Sequence, residues 1–318
     1  MSLSRQRFIT RTLAASAASS FAVPRLALAQ AADAPLRVGI IPSDPFGEAI
    51  YTQAGGFFKS AGINVELVPL QNSGAIAAAL TGGAINIGLA NPIVIASARE
   101  HGLSHYAFAP EALFDASAPT TLLMVANNSP LHTAKELEGK TIGSVELAGI
   151  TQAALRAWMG KNGADAALTK FTEIPFTAMA AALTQGRIDA GFIAEPALAG
   201  ARATTREIGD PYGAIAPMWC LAMWFSSKEW LTQNTALAHR YADALQKGAA
   251  WANSHHVETG IALKQWTPLT DETISKMTRI RFATTYTPAY LQPVLDTGFK
   301  AGILKSPMSA SDLMFPGF

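Results

Sequence analysis

Two stretches of this chain repeat each other. Residues 75–89 (AIAAALTGGAINIGL) align without a gap on residues 178–192 (AMAAALTQGRIDAGF), with nine of fifteen positions identical. Four of those identities are alanine; Leu80/Leu183, Thr81/Thr184, Gly83/Gly186, Ile85/Ile188 and Gly88/Gly191 carry the match. Each copy reads as a helix, a glycine break, a short apolar strand, and a loop with a polar residue before proline: Asn91-Pro92 and Glu195-Pro196. A chain that builds the same helix–strand–loop unit twice is constrained to two similar lobes, and two lobes enclose a cleft.

The surrounding segments extend each unit. Leu36–Ile41 reads as a buried strand, Glu48–Ser60 as a helix closed by Ala61-Gly62, and Ile63–Pro69 as an alternating second strand. Ser73 is placed to cap the first repeat helix, and Ile85–Ala90 is the third strand. The second copy follows the same plan: strand Lys140–Val145, helix Ile150–Asn162, strand Phe171–Pro175, the repeat helix, and strand Ala190–Ala194. Strands alternating with helices predict parallel-type α/β sheets flanked by helices. Thr120–Ala126 and Cys220–Phe225 read as strands, and as the two hinge strands if the chain leaves lobe one through the first and returns through the second. Lobe one is then discontinuous, residues 35–125 and 225–318, and lobe two covers 126–224. Lys228–Ser254 and Asp271–Arg281 read as helices packed on lobe one, and Ser306–Phe318 as a loosely docked tail.

With 318 residues, 49% hydrophobic and 15% charged, the chain can bury a large core. Residues 1–31 are a different material. Arg5, Arg7 and Arg11 precede an uncharged stretch from Thr12 to Val23, and Ala27-Leu28-Ala29 is a small-x-small cleavage signal. This is the pattern of an export peptide, too short and too rich in Ala and Ser for a membrane span. Ser4–Ile9 matches the twin-arginine motif except for Gln6 in place of the second arginine, which leaves both that route and the Sec route open. Removing the peptide takes four arginines and no acid, leaving 20 basic residues against 23 acidic. No basic patch remains to suggest nucleic acid. Cys220 is the one cysteine in the sequence, so there is no internal disulfide and no cysteine-based metal cluster. Between Trp219 and Leu221 it reads as buried and inert.

In open parallel sheets ligands bind beyond the carboxyl ends of the strands. That rule selects three loops per lobe: Pro42-Ser43-Asp44, Gln71-Asn72-Ser73 and Ala90-Asn91-Pro92 in lobe one, and Ser144–Thr151, Pro175–Thr177 and Ala194-Glu195-Pro196 in lobe two. Several open a helix, whose free N–H groups suit an anionic or carbonyl atom. Ser144, Gly149, Thr151 and Gln152 form the strongest loop, because Gly149 admits close approach of backbone to ligand. Glu195 interrupts an apolar strand end and is either a ligand-facing carboxylate or an interlobe ion-pair partner. Asp44 is either a ligand group or the residue of an Asx turn. Tyr51 and Trp219 either stack on a planar ligand or belong to the core. The candidate binding residues are therefore Ser43, Asp44, Tyr51, Asn72, Ser73, Asn91, Pro92, Ser144, Gly149, Thr151, Gln152, Glu195 and Trp219. Glu195 and Asp44 suit an amine or ring N–H, while the helix N-termini suit a carboxylate or sulfonate. Arg156 faces away from the loops, so no anion clamp is visible, and the balance favours a neutral or amine-bearing heterocycle.

Catalytic and metal-binding readings find little in this sequence. No HExxH, GxSxG, Walker or GxGxxG pattern is present, and no histidine falls in the six loops. His101 and His105 are spaced i,i+4, but Gly102 breaks the helix between them. No catalytic residue, metal or cofactor is expected.

Four segments, Ala54–Val65, Ser129–Ser144, Gly186–Pro196 and Leu245–Asn253, resemble the type II periplasmic solute-binding proteins of ABC importers. Within that family the likeness is to the nitrate, sulfonate, taurine and thiamine-pyrimidine-precursor subset. The resemblance covers nearly the whole mature chain. It implies a periplasmic protein, monomeric and not an enzyme, that closes two lobes on a small molecule and docks on an inner-membrane permease. Many members carry tryptophan before the Glu-Pro; Ala194 here implies an opened or reshaped pocket. Two other readings of the same fold are an enzyme of the pyrimidine-precursor synthase type, which uses a cysteine-rich segment, and a sensory binding subunit.

Overall fold

The repeated segments fold alike, and a pair of glycines in each lobe shows why. In the computed structural model, which describes residues 34–318, the first copy supplies helix Ser73–Thr81 and strand Gly88–Ala90. The second supplies helix Phe176–Thr184 and strand Ala190–Ala194. Ile76 lies across Gly39 and Gly88, where added Cβ atoms would come within 3.3 and 2.6 Å of its side chain. Met179 lies across Gly143 and Gly191 in the same way. The missing side chains let a helix residue seat directly on two neighbouring strands. Gly83 and Gly186 end the two helices at φ 71° and 67°, a conformation that favours glycine. Asn86 and Asp189 are equivalent too: each accepts a bond from the backbone N–H of the adjoining strand, Arg37 at 2.9 Å and Thr141 at 2.8 Å.

Thirteen strands are present among the described residues. Lobe one is built on β1 (Leu36–Ile40), β2 (Val65–Pro69), β3 (Gly88–Ala90) and β4 (His105–Pro110), and β5 (Ala112–Asp115) leads out of it. Lobe two holds β6 (Thr121–Ala126), β7 (Thr141–Ser144), β8 (Lys170–Glu173), β9 (Ala190–Ala194) and β10 (Thr205–Gly209). The chain returns through β11 (Met218–Cys220) and β12 (Met223–Ser227), and β13 (Arg281–Phe282) follows. Lobe two is one five-stranded sheet ordered β8-β7-β9-β6-β10, with β6 antiparallel to its neighbours. In lobe one β1 pairs with β2, β12 runs antiparallel between β3 and β4, and a parallel bridge Val38–Ile87 joins the two parts. The resulting order, β2-β1-β3-β12-β4, is the lobe-two order in every position. Each sheet thus takes its one reversed inner strand from a segment adjoining the crossing.

The two apolar segments expected at the hinge are those reversed strands: β6 spans Thr121–Ala126, and Cys220–Phe225 covers the end of β11 and the start of β12. The crossing itself is carried by β5 and β11, paired antiparallel with β13 added at the β5 edge. Phe114 of β5 stacks on Trp219 of β11 with ring centroids 5.1 Å apart, and Tyr212 meets both rings edge-on. The hinge is therefore an aromatic plug.

Helices α1 (Glu48–Ala54) and α2 (Phe57–Ser60) replace the single helix expected over 48–60, because Gly56 at φ 75° breaks it. α3 (Ser73–Thr81) and α4 (Pro92–Glu100) start at the ends of lobe-one loops, and α5 (Ile150–Lys161), α6 (Phe176–Thr184) and α7 (Ala197–Ala201) do so in lobe two. The C-terminal segment is firmly docked, contrary to the expectation of a loose tail. Leu313 and Met314 are buried, Phe315 donates its N–H to Ala107 O at 2.7 Å, and Phe318 stacks on His239. It covers the open edge of β4, which would otherwise present unpaired backbone groups. The export peptide expected at 1–31 lies outside the described residues.

Candidate functional site

The six loops selected by strand topology divide into two groups. The loops after β1, β2, β8 and β9 enclose a cavity of about 720 Å³ between the lobes. Its walls are Ile41, Pro42 and Ser43, then Leu70 and Gln71, then Pro175, Phe176 and Thr177, then Ala194, Glu195, Pro196 and Ala197. Trp266 and Leu269, from the C-terminal part of lobe one, close the remaining side. The lining is mostly apolar, a volume and character typical of small-molecule sites. Ala194 sits in this wall, so a small side chain stands where a large one would take up cavity volume. Ser43 is buried, and its hydroxyl has no hydrogen-bond partner.

The loops after β3 and β7 meet in a polar junction across the lobes, which Asn72 and Ser73 of the loop after β2 and Glu173 at the end of β8 also join. Asn72 caps α3 by accepting from Ala75 N at 2.8 Å, and its amide donates to Val145 O and Glu173 of lobe two, both at 3.2 Å. Asn91 caps α4 by accepting from Val94 N at 3.2 Å, and its amide donates to the Glu146 carboxylate in a very short contact. Asn91 also donates to the Ser73 hydroxyl, through its side-chain amide and its backbone N–H, both at 3.4 Å. The expected cap of α3 was Ser73; Asn72 takes that role, and the Ser73 hydroxyl accepts from Asn91 instead. Pro92 fills the first turn of α4, where no N–H is needed.

Glu146 is nearly inaccessible to solvent, and burial raises its carboxyl from the ordinary 4.5 to about 7, with Glu173 adding to the rise. Its loop is shaped to hold it there. Ser144 Oγ donates to Glu146 O at 2.5 Å, Ala148 adopts φ 52°, and a side chain at Gly149 would overlap the carboxylate. Burial pushes the Tyr212 hydroxyl up, and Thr151 opposes the rise. Gln152 lies buried in the first turn of α5.

Three candidates are placed elsewhere. Asp44 is fully buried, paired with Arg279 at 2.8 Å, and accepts from Ile280 N and the Tyr51 hydroxyl at 2.9 and 2.7 Å. Its acceptor capacity is spent inside lobe one, and Tyr51 is buried with it. Trp219 is fully buried in the hinge plug, its indole N–H donated to Tyr212 O at 3.1 Å. Glu195 reaches the cavity, but its two oxygens accept from Ala199 N at 2.9 Å and Thr278 N at 3.2 Å. Burial raises its pKa, and those two backbone donors oppose the rise. Arg156 is held away from the site, donating to Ala301 O. Phe176, Trp266, Leu269, Glu146 and Tyr212 were not singled out in the sequence. An acidic residue in a loop that opens a helix was the available signal for Glu146. The Trp266 segment follows no strand, so topology could not select it.

The family model for NMT1/THI5-like proteins matches residues 46–259. The chain belongs to the NMT1/THI5-like family. No curated protein sequence matches it. Among solved structures, the chain is similar in fold to the periplasmic aliphatic sulphonate-binding protein SsuA of Escherichia coli. It superposes with TM-score 0.68 and 14% identity over 88% of this chain and 92% of that one. The alkanesulfonate-binding SsuA of Xanthomonas axonopodis pv. citri, bound to MOPS, gives 0.72 and 16% over 89% and 98%. The desulfurization enzyme DSZB gives 0.65 and 14% over 89% and 96%. At these identities the likeness establishes the fold, that of type II periplasmic binding proteins, which binding proteins and an enzyme share.

Proposed function

We propose that this chain is an extracytoplasmic solute-binding protein that captures a small, largely apolar organic molecule between its lobes and delivers it to an ABC permease. The observation that carries the reading is the cavity of about 720 Å³, walled by strand-end loops of both lobes. A ligand there touches both lobes at once, so its binding energy favours the closed form. The loop-to-loop bonds of Asn72 and Asn91 are the protein's own share of that closure. Export fits the sequence of residues 1–31, and no helix among the described residues is long and apolar enough to cross a membrane. Capture is favoured over turnover because Cys220 is buried at the hinge with its thiol pushed up to about 12, far from a nucleophile's range. The sulfonate specificity of the SsuA proteins is one ligand class to test, and planar nitrogenous heterocycles are the other.

A thermal-shift screen of the mature protein against pyrimidines, aromatic amines, aromatic carboxylates, sulfonates and amino acids tests the reading. A ligand raises the melting temperature in a concentration-dependent way by mass action. A compound that is consumed, or a complete absence of hits, would overturn it.

A further inference from the structure

We propose that the interlobe cavity takes an uncharged aromatic molecule, held between Phe176 of lobe two and Trp266 of lobe one. The proposal rests on the cavity being the solute site and names the class of solute that site takes. Phe176 and Trp266 are the aromatic side chains of the lining, and each lobe supplies one. Phe176 opens α6, and Trp266 stands in the segment between helix His256–Lys264 and helix Asp271–Lys276. Both are half-buried, so each keeps ring surface to cover. Neither meets another aromatic ring among the described residues, whereas Phe114, Tyr212 and Trp219 of the hinge plug cover one another. A flat ring between the two lobes would gain an aromatic contact from each, which ties its binding to closure.

The polar groups of the same wall decide the charge. No lysine, arginine or histidine is among the residues that line the cavity, so an enclosed carboxylate or sulfonate would meet no opposite charge. Glu195 is the one charged residue of the lining, and each of its oxygens already accepts a backbone N–H, from Ala199 and from Thr278. An ammonium group would therefore find both oxygens engaged. The hydroxyls of Thr204 and Thr267 are turned to the backbone, donating to Ala201 O and Leu263 O at 3.4 and 3.0 Å. Ser43 alone in the lining has a buried hydroxyl without a partner, and a hydroxyl donates or accepts without calling for charge. α6 begins in the wall at Pro175 with no side-chain cap, and a carbonyl oxygen suffices for the N–H groups of its first turn.

Calorimetric titration of the protein with benzamide, benzoate, benzamidine and cyclohexanecarboxamide tests this. The first three share a shape and differ in charge; the last keeps the neutral amide and loses the flat ring. Benzamide should bind at least about tenfold more tightly than benzoate or benzamidine, since neither charge gains a counter-charge in the cavity. Cyclohexanecarboxamide should bind about twofold to tenfold more weakly than benzamide, the worth of an aromatic contact. Phe176→Leu and Trp266→Leu, which keep apolar bulk and remove one ring each, should weaken benzamide by the same factor. The proposal is overturned if benzamide does not bind, if a charged analogue or cyclohexanecarboxamide matches it, or if either leucine variant binds it as wild type does. Those outcomes leave the solute-binding reading standing wherever the wider thermal-shift screen returns a ligand; failure of that screen removes both.

Discussion

Replacing Glu146 by glutamine should change how stability depends on pH, in a direction the structure fixes. The folded-state pKa of about 7 lies above the ordinary 4.5. Between those values the native protein keeps a proton that the unfolded chain has released. The stability this contributes is complete below about pH 4.5 and is lost as pH rises through 7. At about 1.4 kcal/mol per pH unit, the interval corresponds to about 3 kcal/mol. Urea unfolding of wild type and Glu146→Gln, followed by tryptophan fluorescence at half-unit steps from pH 5 to 8.5, measures it. Glu48, Glu111, Glu195 and Asp210 are also raised by burial and give slopes of the same sign in both proteins. They cancel in the difference, which isolates Glu146 together with its coupling to Glu173. The stability of wild type relative to the variant should fall by about 3 kcal/mol across the range and level off above pH 8. A difference that is flat, or that rises with pH, would refute the burial argument and with it the idea that the carboxylate is enclosed at the junction.

Three further outcomes are expected. Gly88→Ala should destabilise by about 1–3 kcal/mol in chemical denaturation, since the new methyl would lie 2.6 Å from Ile76 Cγ2 and 2.7 Å from Phe225 Cε1 in a packed core. Asp44→Ala should cost about 3–5 kcal/mol, because it leaves the Arg279 guanidinium, its side chain only 10% exposed, without its carboxylate. Ala197→Trp should fill the interlobe cavity and abolish the ligand-dependent thermal shift while changing the ligand-free melting temperature little, as judged by the same solute screen.

Much of the fold was legible because the repeat encodes backbone geometry. Gly88 and Gly191 are bare where a helix residue must sit on the sheet, and Gly83 and Gly186 take a left-handed turn. Glycine is the residue those positions need, so the pattern survives divergence elsewhere. Less legible was where the hinge lies. Thr121–Ala126 and Met223–Ser227 are apolar because each is an inner strand covered on both faces, and that signal is the same as a crossing strand would give. β5, which does cross, is four residues long and ends in Asp115, too brief to stand out by composition.

The site divides along the same line between what one chain segment can say and what needs two. Strand topology names all six loops, because each follows directly from where a strand ends. It cannot say which loops face an open space and which face each other. That depends on reach: Glu146 crosses the lobe boundary to Asn91, and Asn72 crosses it to Val145 and Glu173, so these side chains close the polar junction while the remaining residues of the loops after β1, β2, β8 and β9 line the cavity. Aromatic side chains obey the same rule. Tyr51 and Trp219 looked available for stacking, but Asp44 and Tyr212 O satisfy their polar ends inside the protein, leaving nothing that requires solvent or ligand. Phe176 and Trp266, which line the cavity half-buried, gave no local signal of doing so. Where the repeats diverge, at Asn91-Pro92 and Glu195-Pro196, the chain has assigned them different tasks. Asn91 receives a carboxylate from across the cleft, and Glu195 turns its own onto Ala199 and Thr278. Both carboxylates near the cleft thus meet donors supplied by the protein, and Glu146 alone of the two keeps an oxygen unpaired.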